Sequence, residues 1–333
     1  MKISVIGSGA WGTALSLLLM ENGNDVTLWS HSEKESETIR NAKGNPFLKG
    51  VPIPDSLKLT ADIDCARDAD AVVLATPSFA VRETSKKLAP ILPQKAIVVS
   101  VAKGIEKDTS LRMSQVIEEE LRGRNIVAAL SGPSHAEEVG RGIPTAVVLA
   151  CLDLGVAEWV QDLFMNERFR VYTSSDIIGV ELGAALKNVI ALCAGCCDGM
   201  GFGDNTKAML MTRGLTEMAR VGAKMGGRKE TFAGLAGMGD LIVTCTSDHS
   251  RNRRAGLLIG AGMDPQEAMK QVGAVVEGYY AAASGYAMAK KCGVEMPITE
   301  ATYNVLYNGA PLRETFTALM TRSKKHEIEE SWI

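Results

Sequence analysis

Cationic excess is missing from this chain. Its 333 residues carry 36 Lys and Arg against 39 Asp and Glu, a formal net charge of −3. With no overall positive field, nucleic acid is not an expected partner, and any anionic ligand must be held by local cations. Histidine is scarce as well: the four present show no metal-ligand spacing, so no metal site is expected. The seven cysteines, at 65, 151, 193, 196, 197, 245 and 292, are odd in number and scattered. That pattern suits a reducing compartment rather than a disulfide framework. The N-terminus opens into a strand, without the basic, apolar and small-residue order of a signal peptide. No uninterrupted apolar run reaches membrane-spanning length. Neither export nor a membrane span is expected, and cytoplasm is the expected compartment.

What is present suits two soluble domains, with 46% hydrophobic and 23% charged residues in a length that gives each its own core. The opening is the most legible stretch. The β-branched run Ile3 to Ile6 leads into Gly7-Ser8-Gly9-Ala10-Trp11-Gly12, then Ala14, Leu15, Leu18 and Leu19 recur at helical spacing until Asn22-Gly23-Asn24. A second strand follows from Asp25 to Trp29. Strand, glycine turn, helix and strand form the first unit of a dinucleotide-binding, Rossmann-type fold. Gly7 makes the tight turn, Gly9 lets backbone approach a pyrophosphate, and Gly12 lets helix and strand pack closely. The phosphates would lie over the free N–H groups of the helix start.

The second strand ends Trp29-Ser30-His31-Ser32, without the acid that usually grips the ribose hydroxyls of NAD. A 2′-phosphate is therefore not repelled at the strand tip, and His31 and Lys34 could approach it. His31 has the alternative of being a solvated loop residue. NADP is favoured by this reading, with NAD still admitted.

Three further apolar runs end at Thr76-Pro77-Ser78, at Lys103-Gly104 and at Ser131-Gly132-Pro133-Ser134. They read as buried parallel strands of a doubly wound sheet, whose ligands bind beyond the carboxyl ends. That places Lys103 at the active edge. Ser134 starts a capping-box pattern with Glu137, so it is either a helix N-cap or an anion contact. Strands over 145–150 and 169–173, with a helix between them, complete the sheet.

The composition turns helical after Ser174-Ser175-Asp176, which sets expected domains of 1–176 (dinucleotide-binding) and 177–333 (all-α, substrate-binding and catalytic). Lys324 to Glu330 reads as a charged tail. Lys187 lies in the apolar middle of the first long helix, with Gly183, Ala184, Ala191 and Ala194 on its face. Those small neighbours either leave space for a ligand before the ammonium or serve close helix packing around a snorkelling lysine. The ligand reading is favoured, because an unpaired buried cation is costly. Cys193, Cys196 and Cys197 on the same helix lack a second ligand pair and read as small core residues. Farther on, Gly234, Gly237 and Gly239 precede Asp240, and "TSDHSRNRRAG" packs Arg251, Arg253 and Arg254 around Asn252. No Gly-Lys-Ser/Thr follows, so this is not a Walker loop. A glycine-rich turn, an acid and a Ser-Arg-Asn group suit a ligand with hydroxyls and a phosphate.

GSGAWGTA, SGPSHAEEV, GVELGAALKNVIA, GLAGMGDLIVTCTS, SRNRRAG, VVEGYYAA and GVEMPITEATYNVLY together resemble the bacterial type of NAD(P)-dependent glycerol-3-phosphate dehydrogenase, in matching order. The resemblance implies reversible hydride transfer between NADPH or NADH and C2 of dihydroxyacetone phosphate. The product, sn-glycerol 3-phosphate, supplies phospholipid biosynthesis. It also implies that Ala10, Trp11, His31, Lys103, Ala136, Val275 and Glu277 contact the dinucleotide. Lys103, Gly132, Ser134, Lys187, Asp240, Ser250, Arg251 and Asn252 would surround the substrate. Ala10 stands where many members carry Ser, and Ser32 where several carry a basic residue.

In the mechanism expected, Lys187 is proton donor and acceptor and Lys103 its electrostatic helper. Asp240 and Asn252 hold hydroxyls or orient the lysine, and Arg251 takes the phosphate, shared with the cofactor. Arg253 and Arg254 read as helix-face cations. A small phosphorylated triose or polyol is the expected partner, and a homodimer the expected assembly. Two alternatives stand beside this reading: a related β-hydroxyacid or ketopantoate-type reductase, and a dinucleotide sensor without catalysis.

Overall fold

Residues 1–324, 326 and 327 are described by a computed structural model of the chain, and most of the charged tail expected over 324–330 lies outside them. The chain divides into two compact units, Met1–Lys103 with Leu111–Ile177, and Gly104–Ser110 with Ile178–Ile333. A single division at 176 therefore misses one excursion. Gly104–Ser110 belongs to the second unit, where Ile105 is buried in a helical core.

The first unit is built on strands β1 (Lys2–Ile6), β2 (Asp25–Trp29), β3 (Gly44–Asn45), β4 (Leu48–Pro52), β5 (Lys58–Thr60), β6 (Ala71–Leu74), β7 (Ile97–Ser100), β8 (Val127–Ser131), β9 (Thr145–Ala150) and β10 (Phe169–Ser174). Eight of them form one sheet in the order β10-β9-β8-β7-β6-β1-β2-β5. The strand order reverses beside β1, so the carboxyl ends of β1 and β6 flank the switch point where such sheets bind ligands. Alternating side chains serve two cores. Ile3, Val5 and Val73 pack with helices Ala10–Glu21 and Leu154–Phe164, while Ile6, Val72 and Leu74 pack with Val81–Leu88 and Met113–Leu121. Burial on both faces explains the near-continuous apolar runs.

The sheet is not wholly parallel, contrary to expectation: β8 and β9 pair antiparallel. A parallel return needs a crossover long enough to lay a covering element on the sheet, and the connection here holds only the five-residue helix Ala136–Gly140. The β3–β4 hairpin and edge strand β5 had no counterpart in the sequence reading, because they are short and half-exposed.

The second unit is helical. Its helix Ile177–Gly199 is by length and average composition apolar enough to cross a membrane, although Glu181, Lys187 and Asn188 interrupt it, so no uninterrupted apolar run reaches that length. Most of it is buried inside the unit, so it is the core helix, apolar all round because neighbours surround it. One of those neighbours is Arg251–Gly260, and the two helices meet through glycines. A Cβ added at Gly195 or Gly256 would overlap the backbone carbonyl of Arg253 or of Leu192 respectively. Elsewhere Glu217, on helix Asp204–Lys224, accepts from Ile298 N at 2.6 Å and from Thr299 N and Oγ1 at 3.2 Å each, holding the start of helix Pro297–Asn308.

Candidate active site

The first unit offers a dinucleotide cradle. Gly7, straight after β1, has φ +124°, and a Cβ there would stand 2.7 Å from Ala75 O. A Cβ at Gly12 would overlap the Gly7 carbonyl. Packing therefore demands both glycines. It does not demand Gly9, where an added Cβ meets nothing within 4 Å, which leaves approach by a ligand as the reason for glycine there.

Helix Ala10–Glu21 begins at Gly9 without a side-chain cap, so its first N–H groups are offered forward. Beside them the indole Nε1 of Trp11 is buried with no acceptor among the described residues. The hydroxyls of Thr76, Ser100 and Ser131, at or just beyond the carboxyl ends of β6, β7 and β8, are likewise buried and unpartnered. Each orphaned group costs about 1–3 kcal/mol, and a ligand rich in donors and acceptors would offset that cost. The residues present fit a dinucleotide.

The glycine turn is braced by a residue absent from the sequence reading. Asn45, 4% exposed, donates through Nδ2 to Ser8 O and to Thr13 Oγ1, both at 2.7 Å, and accepts from Phe47 N at 2.9 Å. Nothing in the local sequence separates it from an ordinary turn asparagine. Glu35 was missed too. No acid stands at the β2 tip, yet the Glu35 carboxylate accepts from Ser8 Oγ at 2.9 Å, so an acid does reach the turn. Ser32-x-x-Glu35, a capping-box spacing, was the signal available. His31 is exposed, its ring edge-on to Trp29 at 6.4 Å between centroids.

Lys103, just beyond β7, donates from Nζ to Gly132 O at 2.9 Å and lies 3.4 Å from Ser134 Oγ. Ser134 in turn donates to Gly132 O at 2.9 Å. The capping role for Ser134 is set aside: helix Ala136–Gly140 takes His135 as N-cap, and the hydroxyl turns towards Lys103 instead. Ala136 opens that helix and is buried.

In the second unit Lys187 is 4% exposed and its ammonium is held on two sides. Nζ lies 2.9 Å from Asp240 Oδ1 and donates to Thr244 Oγ1 at 2.6 Å. Asp240 and Thr244 share a face of helix Asp240–Thr246, one turn apart, and Thr244 donates to Asp240 O at 2.5 Å. Thr244 was missed, although its i+4 spacing from Asp240 was a readable signal. A π-helical turn over Leu235–Gly239 precedes this helix, a distortion often found at functional sites.

Open space before the ammonium, the favoured sequence reading, is not what the small residues provide. A Cβ at Gly183 would stand 2.8 Å from Ala236 O, and Ala191 and Ala194 are fully buried, so they serve close packing. Cys196 and Cys197 are core residues, and burial pushes the Cys196 thiol up to about 12.

The arginine knot separates by function. Arg251, first residue of helix Arg251–Gly260, is exposed and has no ion-pair partner among the described residues. Arg253 is tied to Asp198 and Asp248, at 2.8 and 2.6 Å. Arg254 is exposed on the helix. Ser250 caps the helix by accepting from Arg253 N at 3.2 Å. Asn252 bridges two elements, donating to Asn188 Oδ1 at 2.9 Å and accepting from Gly278 N at 2.8 Å. Both side chains are already engaged in holding the helix start. Through Gly278, Asn252 also ties that start to the first turn of helix Glu277–Cys292, whose N-cap Val276 lies between Val275 and Glu277.

Residues 2–157 match the NAD-dependent glycerol-3-phosphate dehydrogenase N-terminus and residues 176–317 the C-terminus of the same family. The chain is 52% identical over 330 residues to glycerol-3-phosphate dehydrogenase [NAD(P)+] of Moorella thermoacetica, covering 98% of each. It is 49% identical to the protein of that name from Bacillus subtilis, covering 99% of this chain and 96% of the relative. The crystal structure of glycerol-3-phosphate dehydrogenase from Coxiella burnetii superposes with TM-score 0.92 at 37% identity, covering 96% of this chain and 99% of that one. A ketopantoate reductase from Ralstonia eutropha shares the fold alone, with TM-score 0.61 at 16% identity. The chain belongs to the NAD-dependent glycerol-3-phosphate dehydrogenase family.

Proposed function

We propose that this protein interconverts dihydroxyacetone phosphate and sn-glycerol 3-phosphate with NADPH or NADH, and so supplies glycerol 3-phosphate to phospholipid biosynthesis. The observation that carries the reading is the buried Lys187–Asp240–Thr244 cluster in a chain of this family. The glycine turn at 7–12 and the helix start behind it would hold the dinucleotide, which when bound would supply or take back a hydride. The chain's residues manage charge and protons. Reduction of the ketone places negative charge on the C2 oxygen, and the Lys187 ammonium stabilises that charge and donates the proton. Asp240 and Thr244 fix the direction in which the ammonium points. Lys103, fixed by Gly132 and Ser134, is the proposed electrostatic helper.

Arg251 is the proposed reader of the phosphate. It is an uncommitted guanidinium at a helix N-terminus, where backbone N–H groups also favour an anion. Ser250 and Asn252 assist by holding that terminus in place. NADPH is the favoured cofactor, since the β2 tip carries no acid and His31 and Lys34 stand near it. A homodimer is the proposed assembly, consistent with the exposed apolar side chains of Ile242, Leu257 and Tyr280 in the second unit. Light scattering measures it directly.

The test is the loss of reduced-cofactor absorbance with dihydroxyacetone phosphate, compared with ketopantoate and β-keto acids. Turnover confined to the phosphorylated ketone supports the reading. Preference for a carboxylate substrate points to the related reductases, and cofactor binding without turnover to a sensor.

A further inference from the structure

Glu35 has a placement that helix stability alone does not require. It is the third residue of helix Glu33–Ala42, whose N-cap Ser32 accepts from Glu35 N at 3.3 Å. In a capping box its carboxylate would turn back to the N-cap backbone. Here it extends to Ser8 Oγ at 2.9 Å. Ser8 stands between Gly7 and Gly9, and Asn45 clamps its carbonyl at 2.7 Å, so the carboxylate is fixed against the glycine turn.

In this fold the ribose-reading acid ordinarily comes from the tip of the second strand, because that tip lies beside the glycine turn. We infer that Glu35 does this work from the first turn of the following helix: it accepts from the ribose hydroxyls and opposes a 2′-phosphate, so that NADH remains usable. The inference rests on the dinucleotide reading above. His31 and Lys34 would pull in the opposite sense, while Arg40 is engaged on the neighbouring strand, donating to Leu59 O at 3.1 Å. Cofactor choice is then a balance of charges around one ribose, with Glu35 as its negative member. A phosphate carrying about −1.5 to −2 charge responds strongly to such a neighbour.

The experiment measures dissociation constants for NADH and NADPH by nicotinamide fluorescence, without substrate, in wild type and in Glu35→Gln. The same two cofactors are then compared in turnover. Glu35→Gln preserves shape and removes charge, and should shift the NADPH/NADH affinity ratio towards NADPH on the order of tenfold. In Ser8→Ala the carboxylate loses its anchor, so the ratio should move the same way by a smaller factor. Should either variant lose its thermal transition, the other still decides. A ratio unchanged in the folded variant, or equal loss of both cofactors, overturns the inference and leaves Glu35 as a staple between loop and helix. Wild type that binds neither cofactor would instead overturn the dinucleotide reading itself.

Discussion

Lys187 Nζ lies 2.9 Å from Asp240 Oδ1, with the two side chains 5% and 2% exposed. A buried pair of this kind adds little net stability, but removing one partner strands the other charge, at a cost of about 3–5 kcal/mol. Asp240→Ala should therefore lower the unfolding free energy by about that amount in denaturant titrations. A loss under about 1 kcal/mol would mean that water reaches the ammonium.

Lys187→Ala should reduce kcat on the order of 10²–10⁴-fold, the scale of general acid–base catalysis. Cofactor affinity should survive, because the glycine turn proposed to hold the dinucleotide is untouched. Steady-state rates and a fluorescence titration on the same preparation separate the two. Normal turnover would make Lys187 a structural cation and remove the proposed mechanism.

Arg251→Leu should lower kcat/KM for dihydroxyacetone phosphate on the order of 10²–10⁴-fold, the loss of a clamp with two charge-assisted hydrogen bonds. Unphosphorylated dihydroxyacetone, a poor substrate throughout, should hardly respond. Arg253→Leu should act mainly on stability: it breaks the ties to Asp198 and Asp248, while Lys207 still pairs with Asp198 at 2.8 Å. Equal losses on both ketones in Arg251→Leu would exclude a phosphate contact.

His31→Asp should move preference towards NADH by adding a charge that repels the 2′-phosphate. The measurement is the ratio of kcat/KM for the two cofactors. An unchanged ratio would place His31 among solvated loop residues.

Burial pushes the Glu217 carboxyl up from 4.5 to about 7, although Ile298 and Thr299 donate to it. A raised carboxyl pKa means that the native state holds the proton after the unfolded chain has released it. Stability should thus fall as pH rises from about 4.5 to about 7, by roughly 3 kcal/mol if this group acted alone. Comparing melting curves of wild type and Glu217→Gln across that window isolates the effect. A constant difference between the two proteins would contradict it.

The first unit's plan was legible because glycine spacing and buried strands are local signals. Gly7 and Gly12 stand where the turn requires them, and the runs ending at Thr76, Lys103 and Ser131 are parallel strands. The reversal at β9 was not legible, since strand direction depends on the path of a connection rather than on composition. Lys187 was picked out by burial logic, yet for a mistaken reason: of its small neighbours Gly183 packs against residues 236 and 237, and Ala184, Ala191 and Ala194 are buried in the core. What engages it comes from a segment far along the chain, and only the fold brings that segment near. Asn45 and Glu35 escaped for the same reason, being ordinary turn and helix-start residues until Ser8 is placed beside them.

The glycine contact between helices Ile177–Gly199 and Arg251–Gly260 fixes a length. One helix carries Lys187 and the other begins at Arg251, and where Gly195 and Gly256 meet the facing carbonyls their separation is set by backbone against backbone, with Asn188–Asn252 and Asp198–Arg253 bridging the helices beside that contact. A triose with phosphate at one end and a carbonyl near its middle has a constant span, and under the proposed roles of Lys187 and Arg251 this joint would act as a rigid gauge for it. A single methyl, as in Gly256→Ala, would pry the gauge open and spoil registration of the carbonyl even where both functional side chains are intact.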